Sequence, residues 1–278
     1  MTVYVYENTV NDFKHKPFTR AFSKWSGASL RKIRDFSRTN RLPDDVSAIA
    51  FFGIKGENYG LYKHCVENNI PFYYMDHAYV NTARKPYKPP FWFRIVKNGF
   101  LQNNIVSNDP KRYKENFNFN IEPYANYKNQ NLILVVPPSN IVASLLDFDP
   151  GKWLEDTINE IKTRCPEKEI VIRYKYKDNI KPFRYDEPID SFFPKTYCVV
   201  THSSNLAFKT MMKGIPVISS FVSASRSVSN SFETINNLIE HDRENLLYSL
   251  LHGQFKLEEI QKNLVSFKEF NNMEQVIK

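Results

Sequence analysis

Apolar positions along this chain fall into short runs whose spacing alternates between the strand and the helix period. Val3 to Tyr6 reads as a strand. From Thr19 to Phe36, the apolar positions Phe22, Trp25, Leu30, Ile33 and Phe36 lie in a basic amphipathic stretch that Gly27 divides into two short helices. Ser47 to Phe52 is a continuous apolar strand, followed by the glycine-punctuated loop Gly53 to Asn58. A helix is expected from Tyr59 to Asn68, with Leu61, Tyr62, Cys65 and Val66 on one face. Ile70 to Met75 is the next strand and ends at Asp76-His77. This is a strand–loop–helix–strand unit with strands buried on both faces.

Residues 81–128 break the alternation. They hold Pro86, Pro89 and Pro90, ten aromatic residues, and nine basic side chains against three acidic ones. The regular pattern resumes at Asn131 to Val136, a buried strand that exits through Pro137-Pro138-Ser139-Asn140. Asp149-Pro150 opens a helix, because Asp is a good N-cap and Pro suits the first helical position. Trp153, Leu154, Ile158 and Ile161 form its apolar stripe. Further strands are read at Ile170 to Ile172, Tyr197 to Val200 and Ile215 to Ile218. A helix from Leu206 to Lys213 stops at Gly214. Arg243 to Leu251 and Leu257 to Phe270 read as amphipathic helices. Strands alternating with helices predict an α/β fold of two Rossmann-like parallel-sheet domains, 1–130 and 131–278.

No apolar run approaches the roughly 20 residues of a membrane helix, so no membrane insertion is expected. The N-terminus lacks the charged and apolar regions of a secretory signal. Cys65, Cys165 and Cys198 are isolated and odd in number, fitting neither a zinc site nor a disulfide framework, and this predicts a cytoplasmic protein. The formal net charge of +8 is unevenly placed: residues 1–130 carry 20 Lys and Arg against 11 Asp and Glu, and residues 131–278 carry 18 against 19. A basic half joined to a neutral half predicts a polyanion on the first half.

Four groups of residues carry candidate chemistry. After a strand, His202-Ser203-Ser204-Asn205 opens a helix, where free N–H groups and hydroxyls suit a phosphate. Arg173 and Lys175 leave another strand, and a guanidinium there can grip a diphosphate in bidentate fashion. Ser139 leaves a third strand. In the first half, Asp76 and His77 stand just past a strand, suited to general-base work on a hydroxyl. Basic residues interleaved with aromatics (Arg84, Lys85, Lys88, Trp92, Arg94 and Lys97) suit phosphate contacts plus stacking on an exposed base. Asp147-Phe148-Asp149 imitates a metal-binding Asp-x-Asp, but Asp149 is better explained as the N-cap. Gly53-x-x-Gly56 is only a fragment of a dinucleotide fingerprint. No metal site and no cofactor is expected.

The segment from His202-Ser203-Ser204-Asn205 to Gly214-Ile215-Pro216-Val217 resembles the donor half of GT-B glycosyltransferases, capsule-polysaccharide transferases among them. Phe51 to Gly56, Tyr73 to Tyr79, Phe93 to Gly99 and Gly253-Gln254-Phe255 resemble a family of phage glycosyltransferase-like proteins. The resemblance implies a GT-B-like, metal-independent enzyme. Its second domain would hold a nucleotide-sugar, expected to be a UDP-sugar, with Glu233 a candidate for the donor ribose. Its first domain would hold the acceptor. The basic first half makes DNA with a hydroxymethylated base the expected acceptor. The alternatives are an acidic surface polysaccharide or a non-catalytic nucleic-acid-binding protein of the same fold. No protein partner is inferred.

Overall fold

The structure is a computed structural model that describes residues 2–8, 15–79, 92–117, 120–124, 127–174 and 188–277. Among the described residues, ten strands are formed: β1 Val3–Glu7, β2 Ser29–Lys32, β3 Ala48–Phe52, β4 Phe72–His77, β5 Trp92–Lys97, β6 Leu132–Val136, β7 Glu169–Ile172, β8 Thr196–Thr201, β9 Val217–Ser219 and β10 Gln254–Lys256. The chain divides into two compact units, residues 1–106 with 250–278, and residues 107–249. A single cut at 130 is therefore not what the structure shows, because the C-terminal segment returns to the first unit.

The first unit is built on a six-stranded sheet ordered β10-β5-β4-β3-β1-β2. Strands β2, β1, β3 and β4 are parallel, as expected. Strand β5 runs antiparallel to β4, and β10 antiparallel to β5, so this sheet is mixed.

The two helices expected between Thr19 and Phe36 become a helix His15–Ser26, the edge strand β2 and a helix Ile33–Thr39. Gly27, at φ +69°, makes the break. Strand β2 is exposed along its length, and Arg31 and Lys32 on it protect the open edge from further pairing.

Aromatic packing explains why the tail belongs to the first unit. Trp25 and Phe22 pack with Phe267, and Trp25 also meets Phe255 and Phe270. The Trp25 indole N–H donates to the Val265 carbonyl at 2.7 Å. Together they cover one face of the sheet, where Val3, Val5, Ala48, Ala50 and Met75 are buried. The expected single helix Leu257 to Phe270 is two short ones, Leu257–Gln261 and Phe267–Asn271, parted at Asn263, whose φ is +53°.

The second unit has a four-stranded, all-parallel sheet ordered β7-β6-β8-β9. Alternating residues of β6 and β8 face opposite sides: Ile133, Val135, Cys198 and Val200 enter one core, and Leu132, Leu134, Val136 and Val199 the other. Asp149 caps the helix Pro150–Arg164 as expected, accepting from the N–H groups of Gly151 and Lys152. Gly214 ends the helix Leu206–Met212 at φ +66°, where a Cβ would lie 2.0 Å from the Pro123 carbonyl oxygen. The three cysteines are free and buried. Among the described residues, no helix is long and apolar enough to cross a membrane.

The parallel strands of both sheets share one order, second-first-third-fourth. In such sheets ligands bind beyond the carboxyl ends of the strands, where the strand order reverses. That point lies between β1 and β3 in the first unit and between β6 and β8 in the second.

Candidate functional site

In the second unit, β6 and β8 end side by side. Val136 pairs with Thr201, and the Thr201 hydroxyl donates to the Val136 carbonyl at 2.9 Å. Pro137-Pro138-Ser139 and His202-Ser203-Ser204 therefore leave from the point of reversal. The Ser139 hydroxyl accepts from the Val142 N–H and caps the helix Asn140–Leu145. The Ser204 hydroxyl accepts from the Leu206 N–H at 3.2 Å. Asn205 makes no side-chain cap. Arg173 follows β7 on the same edge, its N–H bonded to the Val135 carbonyl at 2.8 Å.

His202 joins this edge together. Its ring stacks on Phe148 at 4.5 Å with 22° between planes and meets Trp153 edge-on at 6.0 Å. Its Nδ1 lies 3.2 Å from the Ser203 hydroxyl and 3.4 Å from that of Ser220. Ser220 also donates from its hydroxyl to the His202 carbonyl at 2.6 Å. Burial lowers the His202 pKa below its ordinary 6.5, so the imidazole is neutral near pH 7. An open cavity of about 550 Å³ is lined by Asn140, Ser144, Asp147, Phe148 and Asp149 among others.

The segment directly after β9 drew no expectation from the sequence. Seven serines stand among the thirteen residues 219–231, and that density was the available signal. Ser219 bonds Ser225 and Ser229 at 2.9 Å each, and Ser225 bonds Ser223 at 3.0 Å. These hydroxyls satisfy one another in a tight loop beside His202, with Arg226 exposed at its surface. Glu233 is displaced from this edge. It lies 3.9 Å from Arg164, at the end of the helix Pro150–Arg164, and neighbouring Ile235 accepts from Tyr197 near the start of β8. Both mark the opposite edge of the sheet, so Glu233 does not face a ligand held by the His202 loop.

In the first unit, Asp76 and His77 end β4. Both Asp76 oxygens are engaged: Oδ2 accepts from Tyr74 at 2.8 Å and Arg94 at 2.9 Å, and Oδ1 accepts from the His77 N–H at 2.7 Å. Burial alone would raise the Asp76 pKa. The Arg94 guanidinium, the Tyr74 hydroxyl and the His77 N–H outweigh that and hold it below its ordinary 3.8. A carboxylate so held is a poor general base near neutral pH. Beside it lies a histidine that the sequence reading passed over. The His15 ring stacks on Phe52 at 4.1 Å and meets His77 edge-on at 5.3 Å. His15 and His77 are 62 residues apart, so no local motif signals the pair.

The expected nucleic-acid face is partly overturned. Trp92 is fully buried and lies under the Lys256 ammonium. Arg94 is 4% exposed and paired with Asp76. The Lys97 ammonium donates to the Asn271 carbonyl at 3.0 Å. A buried ring cannot stack on an external base, and a buried paired guanidinium does not reach a phosphate. Arg84, Lys85, Lys88 and Lys175 lie outside the described residues.

No protein-family model matches the chain, and no curated protein sequence matches it. Solved structures do. One is the KpsC beta Kdo 2,4 transferase of Thermosulfurimonas dismutans, with a TM-score of 0.53 and 13% identity over 90% of this chain and 90% of that one. Another is the KpsC beta Kdo 2,7 transferase of the same organism, with a TM-score of 0.52 and 11% identity over 96% of this chain and all of that one. At these identities the likeness establishes the architecture: the chain shares its fold with glycosyltransferases.

Proposed function

We propose that this protein is a glycosyltransferase that moves a sugar from a nucleotide-sugar to a hydroxyl of a glycan. The observation that carries the reading is the meeting of Ser139, His202, Ser203 and Ser204 at the β6/β8 reversal point of an all-parallel sheet. In a fold shared with glycosyltransferases, that position suits the donor phosphate. Hydroxyls and loop N–H groups there, with Arg173, would stabilise the charge that develops on the departing phosphate. Arg226 is a further cation for the same group. In the first unit, His77 at the end of β4 is the group proposed to take the acceptor proton. Asp76 serves there as an anchor.

A glycan acceptor is favoured over DNA. Trp92 and Arg94 are buried, which removes two of the residues that suggested stacking and phosphate contact. The transferases of like fold are named for the sugar Kdo, which makes an acidic sugar the first donor class to try.

The test is a panel of nucleotide-sugars offered with oligosaccharide acceptors and, separately, hydroxymethylated DNA, with products read by mass spectrometry. Ser203→Ala with Ser204→Ala should weaken donor binding by about 10-fold or more, because each hydrogen bond to a charged group contributes roughly 1.5–3 kcal/mol. Unchanged calorimetric affinity would remove the phosphate from this loop.

A further inference from the structure

Strands β8 and β9 end side by side at the carboxyl edge of the second sheet, with Thr201 paired to Ser219. The next residue on each is bonded to the other: the Ser220 N–H and hydroxyl both donate to the His202 carbonyl, at 3.0 and 2.6 Å. Ser220 then opens a tight turn, closed by the Ser223 N–H donating to its carbonyl at 3.1 Å. Phe221 stands at the second position of that turn and is 45% exposed. Every other phenylalanine among the described residues is buried or half-buried. The chain leaves this ring in water where ligands of parallel sheets bind, beyond the carboxyl ends of the strands.

The loop that carries the ring is firmly tied. Ser223, Ala224 and Ser225 are buried. The Ser225 N–H donates to the Ser223 hydroxyl at 3.3 Å, and the Ser219 N–H to the Ser229 hydroxyl at 2.7 Å. Hydroxyl bonds among Ser219, Ser223, Ser225 and Ser229 complete the tie. Between Ser220 and Asn230, the residues the loop exposes are Phe221, Arg226 and Ser227. The Arg226 guanidinium lies 5.3 Å from the centre of the Phe221 ring, an attraction that steadies it. An aromatic already held in place gives up little freedom when a ligand covers it.

A single ring flanked by Arg226 and Ser227 is not the broad apolar patch that a protein partner would need. It fits a flat group carried a short way from an anion. The His202-Ser203-Ser204 loop offers hydroxyls suited to a phosphate, and Phe221 follows directly on the hydrogen bonds that join the two loops. A nucleotide has that layout, with a charged phosphate at one end and an aromatic base at the other. Any base can stack on a phenyl ring through its π face.

Resting on the donor reading above, we propose that Phe221 is the stacking platform for the base of the nucleotide-sugar, with Arg226 steadying the ring. Phosphate and base of one donor are then held by two adjoining loops of a single sheet edge. Phe221 contributes affinity for the base and takes no part in the bonds that break and form.

The experiment uses the full chain and compares wild type with Phe221→Ala and Phe221→Trp. The probes are AMP, CMP, GMP, UMP and ribose 5-phosphate, the last a sugar phosphate with no base. Affinity is read by calorimetry and fold by circular dichroism. Phe221→Ala should weaken each mononucleotide that wild type binds by at least about fivefold, and leave ribose 5-phosphate unchanged. Phe221→Trp should keep the mononucleotide affinity, and its added indole emission should be quenched by a bound mononucleotide. Unchanged mononucleotide affinity in Phe221→Ala overturns the platform while leaving the donor reading intact. Equal weakening of ribose 5-phosphate, or a Phe221→Trp variant that binds mononucleotide without quenching, also overturns it. A wild type that binds no mononucleotide refutes the donor reading itself, and this proposal falls with it.

Discussion

Arg94→Met tests whether this cation supports the fold or meets a polyanion. The guanidinium donates to Asp76 at 2.9 Å and to the His77 carbonyl at 2.8 Å, and sits 5.0 Å from the centre of the Tyr79 ring. Removing one partner of a buried ion pair costs roughly 3–5 kcal/mol, because the other charge stays buried and unmatched. The Asp76 side chain keeps 27% exposure, so water recovers part of that loss, and about 2–3 kcal/mol is expected. Asp76→Asn in the same chain should recover about 1 kcal/mol or more of it, since no orphaned carboxylate then remains. Denaturant unfolding of the full chain measures this. Trp25 and Trp92 lie in the first unit and Trp153 in the second, so a Trp153→Phe background reports on the first unit by fluorescence.

The sign of the pH dependence is also determined. Asp76 has a folded pKa below its ordinary 3.8. Its contribution is therefore present above about pH 3.8 and is lost as pH falls through the lower folded value. The cost of Arg94→Met should shrink over that same window. A cost below about 1 kcal/mol near neutral pH, or full additivity with Asp76→Asn, would refute the buried-pair account.

Two further outcomes are expected. Phe148→Ala exposes the ring of His202, whose pKa burial holds below 6.5, and the pKa should rise toward 6.5 by NMR titration. In the unaltered chain, the stability tied to neutral His202 is present above pH 6.5 and is lost as pH falls through the lower folded value, and Phe148→Ala should flatten that slope. Asp149→Ala removes the cap on Gly151 and Lys152 and should cost about 1 kcal/mol by denaturant unfolding, whereas a metal-binding Asp149 would instead show a metal-dependent loss.

Local chemistry determined much of this protein from sequence. The β6, β8 and β9 strands, the Asp149-Pro150 helix start and the Gly214 stop depend on apolar runs, a cap and a backbone conformation that neighbouring residues decide. The strand–loop–helix arrangement at His202 was legible for the same reason, since a strand followed by small hydroxylated residues and a helix is one continuous segment. Pairing between distant segments was not legible. Strand β10 needed β5 as a partner, and the tail aromatics needed Trp25 and Phe22, so only the folded chain could assign residues 250–278 to the first unit. Burial decided the fate of Trp92 and Arg94, which in sequence look like an exposed basic and aromatic patch. On a central strand covered on both faces, such residues become core and a buried ion pair. The His15–His77 contact belongs to the same class. A ring packed on the end of one strand and against the end of the next exists only once β1, β3 and β4 lie side by side.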